Sequence, residues 1–74
     1  MTQFCIYKNI KYFTPLKNTT YETLDKCFPT FRQANQYCSK MNEHFAYMRT
    51  ETVEDETVHI HTFYTIKEEI FDQT

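Results

Sequence analysis

The 74-residue chain contains no glycine. Walker-type phosphate loops and dinucleotide-binding fingerprints need glycine where the backbone approaches the ligand, so both classes of site are excluded. A turn that requires a positive φ must use another residue, and Asn9, Asn18, Asn42 or an aspartate are the candidates.

Cysteine is scarce and odd in number. The three cysteines are Cys5, Cys27 and Cys38, with no Cys-x-x-Cys spacing. Small secreted scaffolds usually carry an even number of four or more. The pattern therefore favours free, buried thiols in a reducing cytosol over a disulfide or a metal-binding role.

Long hydrophobic runs are also missing. No stretch approaches the length of a membrane span, and the start lacks the pattern of a signal peptide. We expect a soluble, cytoplasmic protein that forms one compact domain over residues 1–74 without a linker and without a membrane partner. A domain this small buries only about 60% of its surface, but seven Phe and six Tyr compensate in part.

The segment 29–42 has the clearest helical pattern. Thr30 is the expected N-cap, and Gln33 lies three residues later, which is the spacing of a capping box. Apolar residues recur along one face at Phe31, Ala34, Tyr37, Cys38 and Met41. The pattern predicts a helix of about 12 residues, with Asn42 in the left-handed conformation that ends it.

Alternation of apolar and polar residues predicts strands over 3–14, 43–50 and 57–66. Residues 51–56 are expected to form a loop, and the segment 67–74 one helical turn before it frays. The segment 19–28 is ambiguous. Thr19 and Glu22 again have capping-box spacing, which favours a short helix or irregular connection over a strand.

These elements predict an α+β fold, in which an antiparallel sheet of about three strands packs against one main helix and a short second one. The expected core consists of Phe31, Tyr37, Met41, Phe45, Val58 and Ile60. Replacing Phe31 by Ala in such a core would cost about 3–5 kcal/mol. The strand Thr57–Thr65 is expected to be an edge of the sheet and to pair with the same strand of a second copy. We therefore predict a homodimer.

Charge is distributed unevenly, although the net charge is only −2. Residues 1–49 carry seven Lys and Arg against three acids, whereas residues 50–74 carry one lysine against seven acids. Such asymmetry either marks an interaction surface or is neutralised when strands pair. The candidate partner-binding residues are Glu51, Glu54, Asp55 and Glu56, which place four carboxylates within six residues.

His59 and His61 lie two residues apart on a predicted strand, so both point to the same side. This is a geometry for two metal ligands, to which His44 or Cys38 would have to be added. No third ligand stands at a recognisable spacing. We therefore predict no metal site, no cofactor and no enzymatic activity.

The function predicted from these exclusions is that of a small non-enzymatic inhibitor or regulator that binds a larger protein or protein complex. Residues with AT-rich codons are abundant, which suggests a phage or prophage origin and a target in host machinery or a CRISPR-type defence complex. The alternative is a nucleic-acid-binding accessory protein. It would use the basic N-terminal half, where lysines alternate with aromatic residues.

Overall fold

The computed structural model describes residues 1–71, which form four strands and one helix. The elements in chain order are β1 (Thr2–Phe13), β2 (Asn18–Phe28), α1 (Phe31–Phe45), β3 (Tyr47–Val53) and β4 (Glu56–Ile70). The fold is therefore α+β, as predicted, but its antiparallel sheet has four strands rather than about three.

The strand order in the sheet is β2-β1-β4-β3, so the two long central strands are β1 and β4. Helix α1 connects the two edge strands by crossing one face of the sheet. We call this the helix face, and the opposite side the open face. Ile6 pairs with Ile66 and Tyr12 pairs with Ile60, so the even-numbered residues of β1 and β4 share the helix face.

The core lies between α1 and one end of this sheet. Ile6, Ala34, Cys38 and Tyr64 are buried together. Their partly buried neighbours are Phe4, Phe28, Tyr37, Met41 and Ile66. Ile6 and Ala34 are completely inaccessible to solvent, because α1 crosses the sheet directly above β1.

The predicted core is only partly right. Ile60 is buried, and Tyr37, Met41 and Val58 are half-buried. Phe31 and Phe45 lie at the two ends of α1 and are 54% and 56% exposed, although the Phe31 ring still meets Phe4 of β1 edge to face at 5.7 Å. The predicted burial of Phe31 is therefore wrong, and its replacement by Ala should cost less than about 3–5 kcal/mol, since that range applies to buried aromatics.

The helix begins where the sequence predicts but ends later. The Thr30 hydroxyl accepts a hydrogen bond from the Gln33 backbone N–H at 3.3 Å, which confirms the N-cap. Asn42 is not the left-handed stop: it lies inside α1, which continues to Phe45. Its side-chain amide accepts from the Tyr64 N–H at 2.8 Å and donates to the Tyr64 C=O at 3.0 Å.

The segment 19–28 is a strand and not a short helix. It belongs to β2 and pairs with β1, so cross-strand bonding outweighs the local capping-box signal. The pairing places Cys5 opposite Cys27, and the two form a disulfide. The prediction of three free thiols is therefore wrong for this pair and holds only for Cys38, which is free and buried.

The last two strands also differ from the predicted boundaries. Because α1 extends to Phe45, β3 starts at Tyr47 rather than at residue 43. β4 contains the predicted strand 57–66 but continues to Ile70, in place of the predicted helical turn. Residues 72–74 of that predicted turn lie outside the described part of the chain. Thr57–Thr65 is not an edge, since β4 is bonded on both sides by β1 and β3.

Candidate functional site

The four predicted partner-binding carboxylates lie together at the tip of the β3–β4 hairpin. Glu51 is in β3, Glu56 is the first residue of β4, and the two-residue turn consists of Glu54 and Asp55. Most of the predicted loop 51–56 is therefore strand. Both turn residues have positive φ, 51° and 64°, as a type I′ hairpin turn requires.

This turn contains no glycine, the residue that type I′ turns usually contain. Type I′ turns favour Asn-Gly or Asp-Gly, because glycine reaches positive φ without steric cost. Aspartate tolerates the left-handed region, whereas Glu54 adopts it at a cost of roughly 1–2 kcal/mol. The tight turn is held by the strand pairing that continues from Val53 and Glu56 down the hairpin.

The carboxylates face solvent. Every residue from 47 to 57 is exposed. Within residues 1–71 the cation that contacts this cluster is Arg49, whose Nε lies 3.4 Å from Glu51 Oε1. This ion pair, formed within β3, leaves Glu54, Asp55 and Glu56 without a contacting cation in that part of the chain.

Exposed apolar side chains accompany the acidic tip. Phe45, Tyr47, Met48 and Val53 are each at least half exposed. Aromatic residues and methionine are enriched where proteins bind one another, and a polar rim typically surrounds them. Tyr47, Met48 and Arg49 were not predicted as surface residues of the hairpin, because the predicted strand begins four residues before β3. The β-branched and aromatic residues Tyr47, Thr50, Thr52 and Val53 are the local signal for a strand over 47–53.

The two histidines lie on the open face but are not joined by a third ligand. His59 stacks on Phe13 at 5.1 Å between ring centroids, with its Nδ1 3.2 Å from Thr50 Oγ1. His61 packs against Phe63. Cys38 is buried on the other side of the sheet, beside Tyr64. Residues 1–71 contain no group of three or more His, Cys, Asp or Glu arranged to hold a metal ion.

The basic residues of the N-terminal half do not form one surface. Lys8 pairs with Tyr64 on the helix face, whereas Lys11 pairs with His61 on the open face. Arg32 and Lys40 are exposed on α1, on the same side of the sheet as Lys8. The predicted basic residues are thus divided between the two faces of the sheet, and the nucleic-acid alternative stays a prediction.

Side-chain hydrogen bonds and an ion pair connect neighbouring strands near the centre of the open face. The Tyr7 hydroxyl donates to Glu69, Lys67 pairs with Glu22, and Lys67 Nζ lies 4.9 Å from the Tyr7 ring centroid. The hydrogen bond to Glu69 raises the pKa of Tyr7. Asn9 is buried and donates to Thr65 Oγ1 at 2.9 Å. These contacts connect β2, β1 and β4, and they occupy polar side chains that could otherwise bind a ligand.

On the helix face, a hydrogen bond connects α1 to the edge strand β2. The Tyr37 hydroxyl donates to Asp25 Oδ2 at 2.7 Å, and this bond raises the pKa of Tyr37 to about 12. Asp25 is the extra residue of a bulge, since Ile6 pairs with Lys26 but Tyr7 pairs with Leu24. Burial also raises the pKa of the Cys38 thiol, which keeps it protonated and unreactive.

An open cavity of about 460 Å³ lies beyond the end of α1, where the chain turns from β1 to β2. It is lined by Tyr12, Thr14, Lys17, Thr19 and Tyr21. The Tyr12 and Tyr21 rings meet edge to face at 5.8 Å. The lining consists of hydroxyls, one ammonium group and aromatic carbon, without a nucleophile–base pair.

Comparison of the chain with protein-family models, with curated proteins and with solved structures gave no match. Among residues 1–71 there is also no helix with the length and hydrophobicity needed to cross a lipid bilayer. Cytoplasmic localisation therefore stays a prediction. The disulfide removes the cysteine argument for that location, because such bonds persist mainly in oxidising compartments.

Proposed function

We propose that the protein is a non-enzymatic inhibitor or regulator that binds a larger protein through the acidic tip of the β3–β4 hairpin. The observation that supports this proposal most directly is the exposure of every residue from 47 to 57. The hairpin makes up one end of a molecule that measures 52 × 29 × 14 Å, and α1 does not cover it.

The side chains at the tip support a partner with a basic surface. Glu54, Asp55 and Glu56 present three carboxylates in a short, twisted hairpin, while Tyr47, Met48 and Val53 offer apolar contact area. Such a surface fits a basic protein surface with an apolar centre. Charge complementarity of this kind raises the association rate and selects against wrong partners. The partner class proposed from composition is host machinery or a CRISPR-type defence complex, met by a phage-encoded protein.

The test is capture of a partner from lysate of the native host with the tagged chain. A variant carrying Glu54→Lys and Glu56→Lys should lose the captured protein, because like charges then face each other at the contact. The matched control carries Glu43→Lys and Glu68→Lys, which change the net charge equally at two other exposed positions. Circular dichroism checks that both variants are folded.

Two results would overturn the proposal. Equal capture by the tip variant would show that the hairpin is not the contact. Failure of the parent chain to capture any protein, together with salt-dependent binding to single-stranded DNA or RNA, would favour the nucleic-acid alternative.

A further inference from the structure

The two edges of the sheet differ in how well they are protected. A sheet edge presents unpaired backbone groups that can bond to another strand. β2 is interrupted by the bulge at Asp25 and is flanked by Pro15 and Pro29. β3 has seven exposed residues, contains neither proline nor lysine, and pairs with β4 in a continuous register. β3 is therefore the edge that is free to accept another strand.

The hairpin turn determines which backbone groups this edge presents. Val53 and Glu56 close the two-residue turn and bond to each other. In an antiparallel pair, hydrogen-bonded and non-hydrogen-bonded residues alternate. The N–H and C=O groups of Met48, Thr50 and Thr52 therefore point away from β4, toward the open edge.

The sequence of β3, Tyr-Met-Arg-Thr-Glu-Thr-Val, is complementary to itself about Thr50. If two copies align antiparallel with Thr50 opposite Thr50, Met48 lies opposite Thr52. Each of these residues then meets a partner whose backbone groups also point outward. The register satisfies the hydrogen bonds of both edges.

The same register places opposite charges face to face. Arg49 of one copy lies opposite Glu51 of the other in a non-hydrogen-bonded pair, where Cα atoms approach to about 4.5 Å and side chains are closest. In the single chain these two side chains already lie on the same face, 3.4 Å apart and about half exposed. Pairing would create a square of four charges with alternating sign.

Neighbouring registers are disfavoured by the same charges. A shift by two residues in one direction places Arg49 opposite Arg49, and a shift in the other direction places Glu51 opposite Glu51. Like charges directly opposite each other in a sheet are destabilising. The charge pattern of β3 thus specifies one alignment.

We propose that two copies of the chain associate through β3 in this antiparallel register and form a continuous eight-stranded sheet with both helices on one face. The interface goes beyond the proposed function. It uses the outer edge of β3 and leaves Glu54, Asp55 and Glu56 outside the paired strands, so the two proposals can fail separately.

The test uses charge exchange, followed by sedimentation at micromolar concentrations. The parent chain should show a species of twice 9.1 kDa. Arg49→Glu alone and Glu51→Arg alone should each weaken self-association by at least about tenfold, because each places like charges opposite. An equimolar mixture of the two variants should dimerise, since every facing pair is then opposite in charge.

Lys40→Glu is the matched control for Arg49→Glu, because it changes the net charge equally on the exposed side of α1. It should sediment like the parent. A parent chain that stays at 9.1 kDa throughout would overturn the proposal. Dimers that persist unchanged in both single variants, or a mixture that does not associate, would show that β3 in this register is not the interface.

Discussion

The two ends of the sheet have different roles. At one end, α1 covers Ile6 and Tyr64, the Cys5–Cys27 disulfide joins β1 to β2, and the Asn42 side chain bonds to the backbone of β4. At the other end, β3 and the tip of the β3–β4 hairpin are exposed. Substitutions should therefore change stability mainly at the covered end and binding mainly at the hairpin.

The largest expected effect is at Ile6. Ile6→Ala should lower the free energy of unfolding by about 2–5 kcal/mol, because it leaves a cavity beneath α1. Val53→Ala is the counterpart on the hairpin, where the side chain is 52% exposed, and should change stability far less. Urea unfolding followed by circular dichroism measures both. Similar losses in the two variants would contradict the division of roles.

The second-largest effect on stability is expected from removal of the disulfide. Replacing Cys5 and Cys27 by Ala together opens a link between residues 22 positions apart in the sequence. Loop-closure entropy predicts a loss of about 3 kcal/mol. Reductant should lower the thermal midpoint of the parent but leave that of the double variant unchanged. A parent midpoint that is insensitive to reductant would mean that the bond does not stabilise the covered end.

Asn42→Ala should cost about 1–3 kcal/mol, because the N–H and C=O of Tyr64 lose their side-chain partner at a position that β3 does not reach. Asn35→Ala on the exposed side of α1 is the matched control and should have little effect. Chemical denaturation compares the two. Equal denaturation midpoints would show that the Asn42 side chain does not hold α1 on β4.

Thr30→Ala should destabilise the protein by about 0.5–2 kcal/mol, since the N-cap hydrogen bond to Gln33 is lost. Thr30→Ser keeps the hydroxyl and should retain most of the stability. Thermal unfolding of both variants tests this. If Ser and Ala were equally destabilising, the side-chain oxygen would not be the stabilising group.

The smallest effect on stability is expected at the hairpin tip. Glu54→Lys with Glu56→Lys should shift the free energy of unfolding by only a few tenths of a kcal/mol, because both side chains are exposed and touch no core residue. The same variant should nevertheless lose the captured partner. A large loss of stability would place the tip within the stabilising part of the fold.

Local patterns in the sequence predict the elements that local interactions form. The start of α1 follows from Thr30 and Gln33, whose capping contact spans only three residues. The strand character of 3–14 and 57–66 follows from alternation, which records the two faces of a sheet. The position of the four carboxylates between β3 and β4 follows from their place in the chain.

Pairing between distant segments required the tertiary structure. The segment 19–28 has a helical pattern, yet it becomes β2 because β1 offers backbone partners on both sides of the Asp25 bulge. The same pairing brings Cys5 and Cys27 together, which no spacing in the sequence indicates. In the sequence, Asn42 resembles a residue that ends a helix. In the structure it lies within α1, and its side-chain amide bonds to the backbone of Tyr64.

The sequence by itself thus determined the fold class, the start of α1, the central strands and the acidic character of the hairpin, because each depends on neighbours in the chain. The tertiary structure alone decided the strand order, and with it the exposure of Phe31, the Cys5–Cys27 disulfide and the choice of β3 rather than β4 as an edge. Each of these depends on which distant residues cover a side chain or bond to a strand, and that information is not local.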